Sequence, residues 1–393
     1  MYANFEFYAP TRVIFGRGTE MEAGRLLKGQ GAQKVLIHYG GQSALRSGLI
    51  DRVKAALDGE NVAHIELGGA APNPRLSLVY EGIELCRREG VDFILAVGGG
   101  STIDSAKAIG YGAANGGDVW ELFEGKRAAQ ACLPIGAVLT IAAAGSEMSN
   151  GCVITREELN LKRSYDNDLC RPRFAIMNPE LTMTLPAYQT SSGAADILMH
   201  TMERYFNQNE NMEITDGLSE ALMRDVMKYA RVLVDKPHDY NARAEIMWAG
   251  SLSHNGLTEC ATGGGDWACH RMEHELGGLF DVAHGAGLAA IWGSWARYVY
   301  RAAQPRFKKF ALNVLNVANT GSDDEIILAG IQAMEAFYRE IGMPTSLTEL
   351  GIAPTAEQIE WMAESCASGS GGATGCIVPL KKADIANIYN MAK

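Results

Sequence analysis

The periodicity of apolar residues changes once along this chain, and that change constrains the fold more than any other feature. Up to Leu185, short β-branched runs at 11–15, 34–39, 62–67, 92–97, 132–138 and 174–177 alternate with stretches of helical spacing at 20–27, 43–57, 76–89 and 101–114. Strands alternating with helices predict a mainly parallel sheet covered by helices on its faces. After Pro186 the period-2 runs vanish, and helical spacing continues through 187–206, 214–234, 240–253, 267–279, 287–301, 323–341 and 355–367. The second half is therefore expected to be all-helical. The boundary is set at Leu185 and Pro186, because proline restricts the residue before it and suits the first turn of a new helix. This gives an α/β domain over residues 1–185 and an all-α domain over 186–393. A chain of 393 residues exceeds what one core usually holds, which agrees with two domains.

Composition excludes several function classes. Acidic residues outnumber basic ones 46 to 35, for a net charge of −11 with no dense basic block, so nucleic-acid and anionic-membrane partners are not expected. No apolar run approaches the ~20 residues of a membrane-spanning helix. The first residues, with Glu6 and Arg12 among them, lack the layout of a signal peptide, so a cytoplasmic location is expected. The eight cysteines show no C-x-x-C spacing, which argues against a thiolate zinc site and against disulfides.

Strand 92–97 runs directly into Gly98, Gly99, Gly100 and Ser101, followed by a helix. Three glycines let backbone N–H groups approach a pyrophosphate at a helix N-terminus, where the helix dipole favours negative charge. The first domain is therefore expected to bind a dinucleotide, although an ordinary glycine turn has the same sequence. Gly98, Gly99, Gly100, Ser101 and Asp104 are accordingly expected at the cofactor, and Ser101 and Asp104, which stand at capping-box spacing, are expected in part to start the helix.

The chain has only eight histidines, and four of them, with one aspartate, fall in two helical pairs and a loop. Asp196 and His200, four residues apart, share a helix face; His270 and His274 repeat that spacing on a later helix, and His284 follows in a loop before Gly285. An aspartate with three histidines suits a divalent Fe2+ or Zn2+ centre with an open position. His270, Glu273 and His274 also match the H-x-x-E-H order of inverted zinc peptidases, with Glu273 as general base; this is the alternative reading. His38, His64, His238 and His254 are read as structural or exposed.

Taken together, GGGSTIDSAKAIG (98–110), GSEMS (145–149), MNPELTMTLPAYQTSSGAADILMHTMERYF (177–206), HRMEHELGG (270–278) and AHGAGLA (283–289) resemble the iron-containing (group III) alcohol dehydrogenases over nearly the whole chain, nearest the butanol dehydrogenase and aldehyde reductase branch. The resemblance implies a fold like that of dehydroquinate synthase, with the active site in the cleft between the halves. It further implies metal ligation by Asp196, His200, His270 and His284, a non-ligand His274 near the nicotinamide, and cofactor contacts at Lys162 and Thr140. The expected substrate is a small aldehyde or primary alcohol; glycerol-type polyol dehydrogenation is the alternative on the same fold. The segment 2–15 resembles a family strand at a subunit edge, which implies a homodimer. At the end of strand 34–39, where an acidic residue would bond the ribose 2′-hydroxyl and repel a 2′-phosphate, the chain has Gly40, Gly41, Gln42 and Ser43. NADP(H) is accordingly expected over NAD(H), with Gly40, Gly41 and Ser43 at the ribose.

Overall fold

Every side chain of the fourth strand is buried, as a strand enclosed on both faces requires. It belongs to a six-stranded parallel sheet of order β1-β8-β5-β4-β2-β3, in which β1 is Arg12–Phe15, β2 Lys34–Tyr39, β3 Ala63–Leu67, β4 Phe93–Gly98, β5 Ile135–Leu139 and β8 Phe174–Met177. The computed structural model describes residues 3–209 and 211–393. Between the strands come α1 (Ala23–Gly29), α2 (Gln42–Arg46), α3 (Leu49–Gly59), α4 (Leu76–Glu89), α5 (Gly100–Ala114) and the short α6 (Trp120–Phe123). Side-chain alternation divides the sheet. Val35, Ile37, Phe93, Leu95 and Val97 pack on α1 and α3 through Leu26, Leu27, Ile50, Val53 and Leu57. The opposite face meets α5, where His38 bonds Ser105.

Two features of this unit depart from the sequence reading. The single helix expected at 43–57 is two, because Gly48 adopts a left-handed conformation (φ +68°) that interrupts it. Residues 151–166, assigned no structure from sequence, form an antiparallel hairpin of β6 (Gly151–Arg156) and β7 (Leu161–Asp166). Its charged residues obscure the alternation on which strand recognition depends.

The helical unit contains α7 (Ala187–Tyr205), α8 (Glu213–Asp235), α9 (Tyr240–His254), α10 (Ala268–Phe280), α11 (His284–Val299), α12 (Gln304–Asn313), α13 (Asp323–Glu340), α14 (Ala356–Gly369) and α15 (Lys382–Met391). Helix α12 was not anticipated: Pro305 reads as a breaker, but it stands in the first turn, where a missing N–H costs nothing, and Phe307, Phe310 and Ala311 are buried at helical spacing. Phe206 stacks on Phe307 with ring centroids 4.4 Å apart and meets Trp295 edge-on, which fills the centre of this unit.

Contacts divide the chain into Ala9–Leu185 and a second unit of Pro186–Lys393 joined by the described part of Met1–Tyr8. Residues 3–8, read from sequence with the α/β half, group with the helical unit. The physical reason lies at Phe7, whose ring would be 3.8 Å from a Cβ on Gly256 of the helical unit. Tyr2, the start of the proposed edge segment, lies outside the described residues; residues 3–11 form no strand, and β1 begins at Arg12. Among the described residues no helix is long and apolar enough to cross a membrane.

Candidate metal centre and nucleotide turn

Small residues at the start of α7 determine how its polar groups are met. Ser192, Gly193, Ala194 and Ala195 let α11 approach so closely that a Cβ on Gly285 would lie 1.9 Å from the Ser192 carbonyl oxygen. This brings His284, the first residue of α11 rather than part of a loop, to Asp196, one turn further along α7. Asp196 Oδ1 is 3.7 Å from His284 Nε2 and 3.8 Å from His270 Nε2. Among the described residues, Asp196, His270 and His284 form a group whose donor atoms all lie within 4.8 Å of one another. His200 stands beside this group, its Nδ1 3.0 Å from Asp196 Oδ1. Its ring centroid is 4.5 Å from that of His270, and its Nδ1 donates to the Asp196 carbonyl at 3.0 Å. His274 is half-buried and outside the group, its ring centroid 5.9 Å from that of His284.

The Nδ1 atom of each imidazole in the triad is committed to an acceptor. His270 Nδ1 donates to Glu203 Oε1 at 3.1 Å, and His284 Nδ1 donates to Glu273 Oε2. An imidazole that donates through Nδ1 carries its lone pair on Nε2, so Nε2 of His270 and His284 face Asp196 as electron-pair donors. Both Asp196 Oδ1 and His270 Nε2 are buried with no hydrogen bond, a costly state for polar atoms unless a cation completes them. Two atoms that each lie ~2.1 Å from one ion can be at most about 4.2 Å apart. The 3.7 and 3.8 Å separations from Asp196 meet that limit, and with all three donor atoms within 4.8 Å of one another the group fits a divalent cation after small side-chain adjustment.

Electrostatics agree with this assignment. Burial opposes ionisation of Asp196, but the imidazoles of His200 and His284 outweigh it and hold the carboxyl well below its usual range. Burial pushes His200 down to about 4, keeping it neutral, the form that ligates metal. Burial also disfavours the His270 cation, but the neighbouring carboxylates of Asp196 and Glu203 prevail and raise its pKa. A metal ion must therefore displace a proton there, and retention weakens as pH falls.

The peptidase alternative is not favoured. It needs Glu273 at the substrate water and both His270 and His274 on the metal. Glu273 is fully buried and engaged with His284, and His274 is outside the triad. Sequence reasoning missed Glu203 and the role of Glu273 as the groups that orient His270 and His284. It also passed over His254, whose ring centroid lies 4.1 Å from that of His200.

In the α/β unit, β4 enters α5 through the three glycines with Gly99 as N-cap and no side-chain cap, which corrects the capping-box expectation for Ser101 and Asp104. Asp104 instead turns inward. Its carboxylate accepts from Ser146 Oγ at 2.5 Å and from Val153 N at 3.0 Å, fastening the 145–149 segment and β6 to α5. Lys107, fully buried and not singled out from sequence, donates to the carbonyls of Ser149 and Gly151 at 3.1 and 2.7 Å. The glycines are also required by packing: a Cβ would lie 2.3 Å from Thr102 at Gly98, 2.9 Å from Ile141 at Gly99 and 2.9 Å from Ala144 at Gly100. The first helical bonds run from Thr102 N and Ile103 N to the Gly99 carbonyl, which leaves the N–H groups of Gly100 and Ser101 ahead of the helix's own ladder. Thr140, whose N–H donates to Gly98 O, follows β5 beside this turn. Lys162 is buried on β7 rather than in a loop, paired with Thr155 across the hairpin. Gly40 and Gly41 follow β2; Gly41 is the N-cap of α2, and Ser43 is exposed.

Comparison with known proteins gives a consistent result. Residues 10–179 match the family described as iron-containing alcohol dehydrogenase, and residues 190–393 match the C-terminal part of the Fe-containing alcohol dehydrogenase family. The chain is 39% identical to NADH-dependent butanol dehydrogenase A of Clostridium acetobutylicum, over 98% of each chain. It is 34% identical to the NADPH-dependent aldehyde reductase YqhD of Escherichia coli, over 89% of each. Among solved structures, NADH-dependent butanol dehydrogenase A of Thermotoga maritima superposes with a TM-score of 0.96 at 38% identity, covering 100% of this chain and 99% of that one.

Proposed function

This chain belongs to the iron-containing alcohol dehydrogenase family, and we propose that it reduces short-chain aldehydes, and oxidises the corresponding primary alcohols, with a nicotinamide cofactor. The observation that carries the reading is the convergence of Asp196 Oδ1, His270 Nε2 and His284 Nε2, two of them buried and without hydrogen bonds. With His200 as fourth ligand, these residues would hold Fe2+ or Zn2+, which when bound supplies Lewis-acid polarisation of a carbonyl oxygen. The nicotinamide supplies hydride. Glu203 and Glu273 hold the imidazoles in one orientation before substrate arrives. The N–H groups of Gly100 and Ser101 would bind pyrophosphate, with Gly98, Gly99, Thr140 and Lys162 completing the cofactor's surroundings.

His274 is proposed to deliver the proton that completes the alcohol at the substrate oxygen. His274→Ala should retain stoichiometric metal while kcat falls by roughly 10²-fold or more, with one ionisation lost from the pH profile. Loss of metal from this variant would instead make His274 a ligand.

NADPH over NADH is proposed from the missing acid at Gly40. Relatives named for each cofactor are known, the C. acetobutylicum enzyme for NADH and the E. coli enzyme for NADPH. A homodimer is proposed through the N-terminal segment, which presents Phe5, Phe7 and Tyr8 about half exposed; a monomeric mass in solution would contradict it. A cytoplasmic setting fits the nicotinamide cofactor and eight cysteines with no disulfide.

The direct test follows butanal-dependent oxidation of NADPH and of NADH, before and after chelation. The expected result is turnover that is faster with NADPH, is lost to chelator and returns with Fe2+ or Zn2+. Aldehyde reduction that persists in a metal-free protein would overturn the metal reading, and a preference for NADH would overturn the inference from Gly40.

A further inference from the structure

The turn that leads into α10 is built almost entirely from left-handed backbone. Ala261, Gly263, Gly264, Gly265 and Trp267 have φ of +66°, +77°, +106°, +83° and +63°. Glycine adopts this conformation freely, but a tryptophan there is strained and persists only where its surroundings over-determine it. Here they do. A Cβ on Gly265 would lie 2.7 Å from the Glu203 carbonyl oxygen, so the turn lies directly against α7. Asp266 N donates to that same carbonyl at 2.8 Å, and the Asp266 carboxylate accepts from the N–H groups of Ala268, Cys376 and Ile377. The indole Nε1 donates to Gly264 O at 2.5 Å.

The side chain held in this way lies among the metal-site imidazoles. The Trp267 ring centroid is 5.2 Å from that of His270 and 6.1 Å from that of His200, at interplanar angles of 62° and 69°, and the Arg204 guanidinium sits 4.5 Å from the ring centroid. Each of these histidines is already fixed at Nδ1, by Glu203 and by the Asp196 carbonyl. One hydrogen bond still allows the ring to swing about the bonded nitrogen, and an edge-to-face aromatic contact removes that freedom. We propose that Trp267 is a positioning residue of the metal centre, a wedge clamped by the left-handed turn that sets the imidazole planes of His200 and His270. This rests on the reading that those two histidines bind the metal. Ligands ordered before the ion arrives cost less to order on binding, so the wedge raises metal affinity without touching the ion.

The test compares Trp267→Phe, which keeps a ring, with Trp267→Gly, which removes it and also relaxes the strained backbone. Co2+ affinity is measured by chelator competition, the visible bands of bound Co2+ report ligand geometry, and thermal unfolding of the metal-free protein reports the fold. The expected result is a loss of affinity of at least roughly tenfold with altered Co2+ bands in Trp267→Gly, against a few-fold change in Trp267→Phe, a range typical of groups supporting metal ligands. Metal-free Trp267→Gly should still unfold cooperatively. Wild-type affinity and bands in Trp267→Gly would overturn the proposal. So would equal losses in the two variants, or loss of cooperative unfolding in Trp267→Gly, which would make Trp267 a residue of the fold alone. Wild-type protein that binds no Co2+ would overturn the metal reading itself, an outcome distinct from wild type and variant binding equally well.

Discussion

Asp196→Ala is expected to abolish metal retention and to lower aldehyde reduction by about 10³-fold or more, equivalent to roughly 4 kcal/mol of transition-state stabilisation. Asp196 provides the one carboxylate of the triad, and its Oδ1 is the atom that both His270 Nε2 and His284 Nε2 face. Removing it leaves only neutral donors in a buried site, where the charge of a divalent ion is poorly compensated. His200→Ala should act in the same direction. Nucleotide binding should survive both changes, because the glycine turn at 98–100 belongs to the separate unit Ala9–Leu185. Metal analysis of the purified variants, with nicotinamide fluorescence titration alongside, checks both halves of the expectation. Full turnover of Asp196→Ala in metal-depleted buffer would exclude the assignment.

Gly285→Ala should be nearly as damaging by a different route. The added methyl would lie 1.9 Å from the Ser192 carbonyl oxygen and 2.8 Å from its carbon, and backbone cannot rotate away as a long side chain can. Helices α7 and α11 must separate, which is expected to cost on the order of 3 kcal/mol and to carry His284 away from Asp196. Gly217→Ala on α8 is the matched control. Nothing lies within 4 Å of its added Cβ, and alanine is the better helix former, so its stability should be unchanged or higher by up to about 1 kcal/mol. Denaturant unfolding together with metal content measures both. Equal stabilities for the two variants would refute the close-approach argument.

The α/β half was legible because a parallel strand enclosed on both faces must be apolar throughout, and β4 reads in that way from Phe93 onward. The hairpin β6–β7 was not legible: Arg156, Lys162, Arg163 and Asp166 mask its period. Asp104 illustrates the limit of motif spacing. Three residues after a serine at a helix start it reads as a capping partner, yet its carboxylate bonds Ser146 and Val153, 42 and 49 residues away. Burial raises the Asp104 pKa, with Lys107 the first of the groups that oppose the rise. Nothing local to 101–107 announces either neighbour.

The metal centre divides in the same way. Helical spacing alone placed Asp196 and His200 on one face of α7, and His270 and His274 on one face of α10, because four residues at 100° each return within about 40° of the starting direction. That local geometry treats His270 and His274 alike, and it permits Glu273 to be a general base. Tertiary packing separates them. The approach of α11 to α7 at Gly285 and Ser192, and the bond that His270 donates to Glu203, bring His270 and His284 to Asp196, leave His274 outside the triad and bury Glu273 behind His284. Sequence by itself determined which side chains share a helix face, since that follows from a fixed rotation per residue. Which face meets which, and therefore which histidine points at the carboxylate, was decided only by the steric fit between helices far apart in the chain.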